Sequence, residues 1–242
     1  MKKVFAVFLL LALLSALSHQ SGFDLWLAHR LYAFEGGNGH PFPWRDNYWL
    51  YNVLHEGGRA LVKRLFFLDV ALFLGSWLLA GLRRYRQIFF YVAISTLLAT
   101  ALISSLKHVT RIPCPQSLAE FGGHRAWIDY WQLFSPRLPK GSCYPAGHAS
   151  GGYAWLCLAF IFPFASRRFF VWMVPGLLLG LVFGVAQQLR GAHFISHDLM
   201  TVALCWLISA LVLAAMQAIQ QAHRTLMYPL ELAYAAEQHY SR

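Results

Sequence analysis

The chain has 242 residues, 58% of them hydrophobic and only 12% charged, with 20 Lys and Arg against 10 Asp and Glu for a net charge of +10. That balance excludes an ordinary soluble domain, in which about a quarter of residues are charged, and places the chain in a lipid bilayer. The positive excess favours anionic head groups, and no nucleic acid is expected as a partner.

Six stretches are candidates for crossing a hydrocarbon core that needs roughly 20 apolar residues: residues 3–20, 65–82, 88–106, 149–165, 169–186 and 199–219. The first follows Lys2 and Lys3 and runs apolar from Val4 to Leu17, a pattern shared by a secretory signal and a retained helix. Retention is favoured because no small-x-small cleavage site follows in Ser18, His19, Gln20 and Ser21. The next segment, 21–64, is rich in aromatic rings (Trp26, Tyr32, Phe34, Phe42, Trp44, Tyr48, Trp49, Tyr51) and suits an interfacial stretch at head-group level, each ring singly reading as part of a membrane belt. Asp69 is the only formal charge inside the second to fifth spans. After the last span, 220–242 forms a short mixed tail, expected on the cytoplasmic side, whose Tyr228, Pro229 and Leu230 suggest a surface helix with a break.

A lipid-exposed backbone must satisfy its own hydrogen bonds, and spans this long exclude barrel strands. The expected fold is therefore all-α, one polytopic bundle of about six transmembrane helices over residues 1–242. Lysine and arginine favour the cytoplasmic side. Arg83, Arg84 and Arg86 crowd one tight turn and Arg167 and Arg168 another, with no acidic residue in either, so the N-terminus is placed inside. The loop 107–148 and the turn 187–198 then share the outer, periplasmic face of an inner membrane, where they can meet across the bundle. Cys157 and Cys205 lie inside spans and read as small buried hydrophobes. Cys114 and Cys143 both fall in the outer loop, where a bridge would stabilise a closed stretch of about 30 residues by roughly 3 to 4 kcal/mol on the chain-entropy estimate.

Three polar clusters sit where apolar stretches end. Lys107 and Arg111 are four residues apart and suit a phosphate, the arginine through forked hydrogen bonds and the lysine as a point charge; alone, they also read as two snorkelling cations. In the run Tyr144, Pro145, Ala146, Gly147 and His148, Gly147 permits close backbone approach to an anion. A histidine at that place can protonate a leaving oxygen near neutral pH. Arg190, His193, His197 and Asp198 fall within nine residues. An imidazole is a competent nucleophile toward phosphorus if a neighbour holds its second ring nitrogen. His193 and His197 at helical spacing are equally open to heme or metal ligation, although the cations on the same face and the lack of CxxC or HExxH spacing weigh against it.

The order of these clusters resembles the type 2 phosphatidic acid phosphatase family, whose pattern is K-x6-R-P, then P-S-G-H, then S-R-x5-H-x3-D. Lys107 and Pro115 match the first motif, Pro145, Gly147 and His148 the second, and His193 the histidine of the third. Cys114 stands where the first motif has arginine, Ala146 where the second has serine, Ala186 and Gln187 where the third has serine and arginine, and His197 in the place of its aspartate. Arg111 and Arg190 lie three residues from the two vacancies, about one helical turn, so the charge reads as relocated. The resemblance implies a metal-independent hydrolase without cofactor, acting on a lipid phosphate or pyrophosphate of the undecaprenyl pyrophosphate, phosphatidylglycerol phosphate or lipid A type. Lys107, Arg111, Gly147 and Arg190 would hold the phosphoryl group. His193 would attack it, His148 would protonate the leaving oxygen, and His197 or Asp198 would orient His193. A lipid phosphotransferase and a silent lipid-phosphate binder are the variants of this reading, and a heme or redox protein is the alternative from another class.

Overall fold

The computed structural model describes residues 1–38 and 41–240, with side chains as far as His223 and at Thr225. Within the described residues the chain is helical, with no strand and one isolated bridge between Leu118 and Arg125. Its elements are α1 (Lys2–Gln20), α2 (Phe23–Phe34), α3 (Gly58–Gly75), α4 (Arg86–Val109), α5 (Gly147–Tyr153), α6 (Cys157–Phe160), α7 (Arg167–Leu189) and α8 (Ile195–Tyr240). A π-helical stretch, Trp49–Gly57, leads into α3, and a 3-10 stretch, Ala80–Tyr85, leads into α4. α8 continues through Tyr228–Leu230, so the backbone does not break where a break was expected; the side chains there lie outside the described residues.

Among the described residues, four segments are long and apolar enough to cross a membrane: Lys2–Gln20, Ala80–Val109, Arg167–Leu189 and Ile195–His223. The expected count of about six is thus met by four, and the other two differ for separate reasons. α3 carries Arg59, Lys63, Arg64 and Asp69 in its 18 residues, which lowers its apolar character. The helical residues 147–160 span only about 21 Å at 1.5 Å per residue, and a 3-10 step, Ala154–Leu156, interrupts them. That step follows Gly151 and Gly152, which favour the helix weakly. Leu9, Leu10, Leu13, Leu97, Leu178 and Leu181 are exposed, an apolar surface of the kind lipid covers.

α7 is the spine of the bundle. Ser166 caps its start, its hydroxyl oxygen accepting from the Phe169 amide at 3.1 Å. Gly176, Gly180 and Gly184 recur every fourth residue along one face, so that backbones approach where lipid supplies no hydrophobic drive to pack. A methyl at Gly176 would run into the Trp155–Leu156 backbone, and one at Gly180 into the Tyr153 ring. Gly184 admits the Asp198 carboxyl, whose atoms lie 2.8–2.9 Å from where a Cβ would stand.

The two ends of the bundle differ. One carries Arg83, Arg84 and Arg86 ahead of α4 together with Arg167 and Arg168 at the start of α7. There the Arg86 guanidinium donates to the Ser76 carbonyl at 2.7 Å and lies over the Trp77 ring. The other end gathers the C-termini of α1, α4 and α7 and the N-termini of α3, α5 and α8, beneath a cap formed by α2 and the loop 110–146. Tyr32 and Phe42 are buried in that cap with Leu118, Phe121 and Phe194, so these two rings are core, whereas Trp26, Phe34, Tyr48 and Trp49 are exposed as a belt requires. The expected Cys114–Cys143 bridge is present, with Cα atoms 5.3 Å apart, and ties the ends of the loop together.

α1 and α2 are wired into the start of α8 by buried polar groups. Asp24, 1% exposed, accepts from Ser18 Oγ at 2.8 Å, from the Ser196 amide at 3.1 Å and from the Ser196 hydroxyl, with His19 Nδ1 at 3.2 Å. It serves as an N-terminal cap for α8 supplied from another helix. Ser15 donates to the Ser196 carbonyl at 2.7 Å. Replacing Asp24 by Ala leaves these donors unpaired in the interior and is expected to cost about 1–3 kcal/mol, read as a lower melting temperature in detergent; an unchanged one refutes the capping role. Gly180→Leu is expected to destabilise by about 1–3 kcal/mol through overpacking against Tyr153. A variant as stable as the parent would show that α5 and α7 do not meet there.

Candidate active site

The capped end of the bundle holds a cavity of about 900 Å³. Lys107 reaches it from the end of α4, Gly147 and His148 from the start of α5, and Arg190 and His193 from the turn between α7 and α8. A Cβ at Gly147 would lie 3.6 Å from Lys107 Nζ, so the lack of a side chain brings this backbone up to the ammonium. Ala146 is fully buried behind it, its amide donating to the His197 carbonyl at 3.3 Å and its carbonyl accepting from Thr201 Oγ1 at 3.2 Å. Those two bonds join the start of α5 to the start of α8 and set His148 and His193 on one cavity wall.

His193 is 5% exposed, and its Nδ1 lies 3.2 Å from Nδ1 of the fully buried His197. One of these nitrogens must carry the shared proton. With the proton on His193 Nδ1, His193 Nε2 keeps a bare lone pair and His197 acts as acceptor through its own Nδ1. His197 then carries its proton on Nε2, which has no hydrogen-bond partner. Its ring packs edge-on against Tyr144 and Phe194. Burial, reinforced by the Lys107 ammonium, pushes the His193 pKa down to about 3 despite a hydrogen bond with the Cys143 backbone. The imidazole is therefore uncharged at neutral pH.

His148 donates from Nε2 to the Leu54 carbonyl at 3.1 Å and lies between the rings of His55 and Phe183. Burial pushes its pKa down to about 4, a shift the Leu54 carbonyl opposes and Arg59 and Arg190 reinforce. Arg190 is buried. Its Nε donates to the Arg45 carbonyl at 2.8 Å, one terminal nitrogen donates to Gln187 Oε1 at 3.1 Å, and the guanidinium lies 4.9 Å from the Tyr51 ring centre.

Two residues singled out from the sequence stand apart from this group. Asp198 points away from His193: Oδ2 accepts from Gln188 Nε2 at 2.6 Å, Oδ1 is buried without a partner, and the carboxyl packs on Gly184. Arg111 is not among the residues lining the cavity; its amide donates to the Leu133 carbonyl at 2.9 Å within the outer loop. The reason is local: the helix ends at Val109, and Thr110 is extended, so the four-residue spacing no longer places Arg111 beside Lys107.

The sequence motifs do not include His55, Arg59 and Lys63, which line the cavity, and they mark Gln187 only as a departure from the third motif. Arg59 and Lys63 carry the same signal as Lys107, cations at the mouth of an apolar stretch, but the aromatic rings just before them also fit an interfacial segment. The disulfide sulfurs' residues, Cys114 and Cys143, also line the wall. No carboxylate does so among the described residues, and the set of donors favours an anion. Beyond this polar end the cavity runs down between α3 and α4, along Val62, Phe66 and Phe67 on one side and Leu97, Thr100 and Ser104 on the other.

Neither the curated proteins nor the solved structures give a match to the chain. A family model described as the PAP2 superfamily matches residues 87–221, a stretch that takes in α4, the outer loop, α5 to α7 and the start of α8, and with them every motif position discussed above. That stretch is more than half of the chain and carries Lys107, His148, Arg190 and His193 of the cavity wall, and the chain belongs to the PAP2 superfamily, whose members are generally phosphatases.

Proposed function

We propose that the chain is a membrane phosphatase that hydrolyses a lipid phosphate or lipid pyrophosphate through a phosphohistidine on His193. The observation that carries this reading is the continuity of one cavity, cationic and imidazole-lined at its capped end and running on between α3 and α4, with Val62, Phe66, Phe67 and Leu97 facing it alongside the hydroxyls of Thr96, Thr100 and Ser104. A phosphorylated head group and its attached chain have matching needs. Undecaprenyl pyrophosphate, phosphatidylglycerol phosphate and lipid A are substrates of this kind.

Lys107, Arg190 and the Gly147 amide hold the phosphoryl oxygens in this scheme, with Arg59 supplying charge that the motif positions Cys114 and Gln187 lack. Stabilising the charge that develops on those oxygens contributes most to the rate. His193 Nε2 attacks phosphorus while His197 holds Nδ1–H, and His197 rather than Asp198 takes the orienting role because it is the group within reach. His148 protonates the leaving oxygen. With its pKa lowered to about 4 it is uncharged at pH 7, so the dianionic substrate must raise that pKa by offsetting the surrounding cations. No step calls for a metal. Residues 65–82 and 149–165 complete a six-span bundle in this reading. The inner membrane with the site on its outer face follows from the basic turns lying at the opposite end.

Phosphate release from a panel of lipid phosphates in detergent, with chelator present, tests the reading. The parent chain is expected to release phosphate, and His193→Ala to lose at least about a thousandfold; equal rates in both would refute the nucleophile. Absence of release from every substrate, with retained lipid-phosphate binding, would identify a silent binder instead. The lowered histidines make a second prediction. At pH 7 the protein is expected to take up a proton on binding sulfate, a dianion that does not itself titrate near neutral pH, because the His148 pKa of about 4 rises toward neutrality beside it. The binding enthalpy then depends on buffer ionisation enthalpy, and binding tightens as pH falls; a zero slope would contradict it.

A further inference from the structure

The wall that α3 gives the cavity is a single helical face. Arg59, Val62, Lys63, Phe66 and Phe67 line it, at the i, i+3, i+4, i+7 and i+8 spacing that puts side chains on one stripe. Along that stripe the chemistry changes once, from two cations in the first turns of the helix to hydrocarbon beyond them. Packing fixes its register against the catalytic residues. A Cβ at Gly58 would lie 2.6 Å from the ring of Phe183, which itself packs on His148, and a Cβ at Gly151, about one turn after His148, would lie 3.1 Å from Val62. The start of α3 therefore lies against the start of α5, and Arg59 and Lys63 enter the cavity from the His148 side.

The cations of the cavity sort by side. Lys107 is the one that bears on His193, whereas Arg59 bears most on His148, after burial and the Leu54 hydrogen bond. Attacking and leaving atoms lie on opposite sides of phosphorus in an in-line displacement, so Arg59 faces what departs. Lys107 and Arg190 match the charge of one phosphoryl dianion, and Arg59 and Lys63 add positive charge beyond it. The protein offers them little in return. Glu56 reaches Arg59 at 3.4 Å in an exposed pair, an interaction worth little. Lys63 forms no ion pair among the described residues. Cations beside hydrocarbon are costly unless an anion meets them.

We propose that Arg59 and Lys63 form a second phosphate subsite on the leaving-group side of the first, and that the substrate is a lipid diphosphate whose terminal phosphoryl group is transferred while its inner phosphate rests on these two cations. This rests on the phosphatase reading above and narrows it to phosphoanhydrides. The hydrocarbon chain then continues along Phe66 and Phe67. The proton inventory agrees. His148 gives its Nε2 proton to the Leu54 carbonyl and, with a pKa lowered by burial to about 4, holds none on Nδ1 at neutral pH. An alkoxide needs that proton in order to leave, but a phosphate monoester, whose second pKa is about 6, does not. In the first step the N–P bond to His193 Nε2 forms as the bond from phosphorus to the bridging oxygen breaks. The electron pair stays on that oxygen, and the lipid leaves as its monophosphate dianion. In the second step water attacks phosphorus and the N–P bond breaks, its electrons returning to His193. Both water protons leave with the inorganic phosphate, so the demand on His148 is relaxed.

Farnesyl pyrophosphate and farnesyl monophosphate differ only by the second phosphate, and phosphate release from each in detergent tests the subsite. The parent is expected to favour the pyrophosphate by about tenfold or more in kcat/KM, with farnesyl monophosphate and inorganic phosphate as first products. Lys63→Gln and Arg59→Gln are expected to lose about tenfold or more on the pyrophosphate beyond any loss on the monophosphate. Lys63→Arg, which keeps the charge, is expected to retain the preference. Both side chains are exposed, so the variants are expected to melt with the parent. A parent without the preference, inorganic pyrophosphate as first product, or variants that lose equally on the two lipids, as cations serving only bilayer head groups would, overturns the second subsite and leaves the phosphatase reading standing. A parent that releases phosphate from neither lipid overturns that reading itself.

Discussion

The candidate site turns on one buried contact, between Nδ1 of His193 and Nδ1 of His197 across 3.2 Å. A histidine attacks phosphorus only if one nitrogen is bare and aimed, and the partner on its other nitrogen decides both. A carboxylate in that position would accept the ring proton and counter the charge that forms as His193 becomes phosphorylated. A neutral imidazole accepts the same proton without supplying negative charge. In the proposed mechanism the chain keeps the orientation and leaves charge compensation to the substrate's own dianion. That exchange accounts for the burial of His197 among the Tyr144 and Phe194 rings, where a carboxylate would be costly to desolvate.

Much of the molecule serves to hold that contact in place. Asp24 caps α8 at Ser196, one residue before His197, and Ser15 secures the Ser196 carbonyl. Ala146 is bonded to the His197 carbonyl, which carries the position across to α5 and His148. Helices α1 and α2 thus bear on the His193–His197 pair without lining the cavity, whose wall the outer loop joins through Cys114 and Cys143, and the glycine face of α7 lets the other helices close around it. The rigidity lies in buried, paired polar groups at one end of the bundle, while the lipid-facing surfaces remain plain hydrocarbon.

Charge in the cavity has been redistributed relative to the family pattern. Cys114, in place of one motif arginine, forms part of the disulfide, and Gln187, in place of the other, joins Arg190 to His55. Arg190 lies one turn from its vacancy and does reach the cavity, as spacing along the chain implied. Arg111 does not, since the helix stops at Val109 and spacing on a helix loses its meaning beyond that point. Arg59 supplies a cation from α3 instead. The helical class, the three clusters, the shared end of the bundle and the disulfide were legible because each follows from apolar length, from cation placement or from a short motif. Asp24 and His55 were not legible. Their importance comes from contacts made over 172 and 132 residues of sequence, and nothing local separates them from an interfacial segment.

The most direct measurement is the site of phosphoryl attachment during turnover. Rapid mixing with a short-chain lipid phosphate, an alkaline quench that preserves phosphohistidine, and peptide mass spectrometry would read it. The account predicts a transient phosphoryl group on His193 alone. Label on His148 or His55, or steady phosphate release with no labelled histidine, would contradict it.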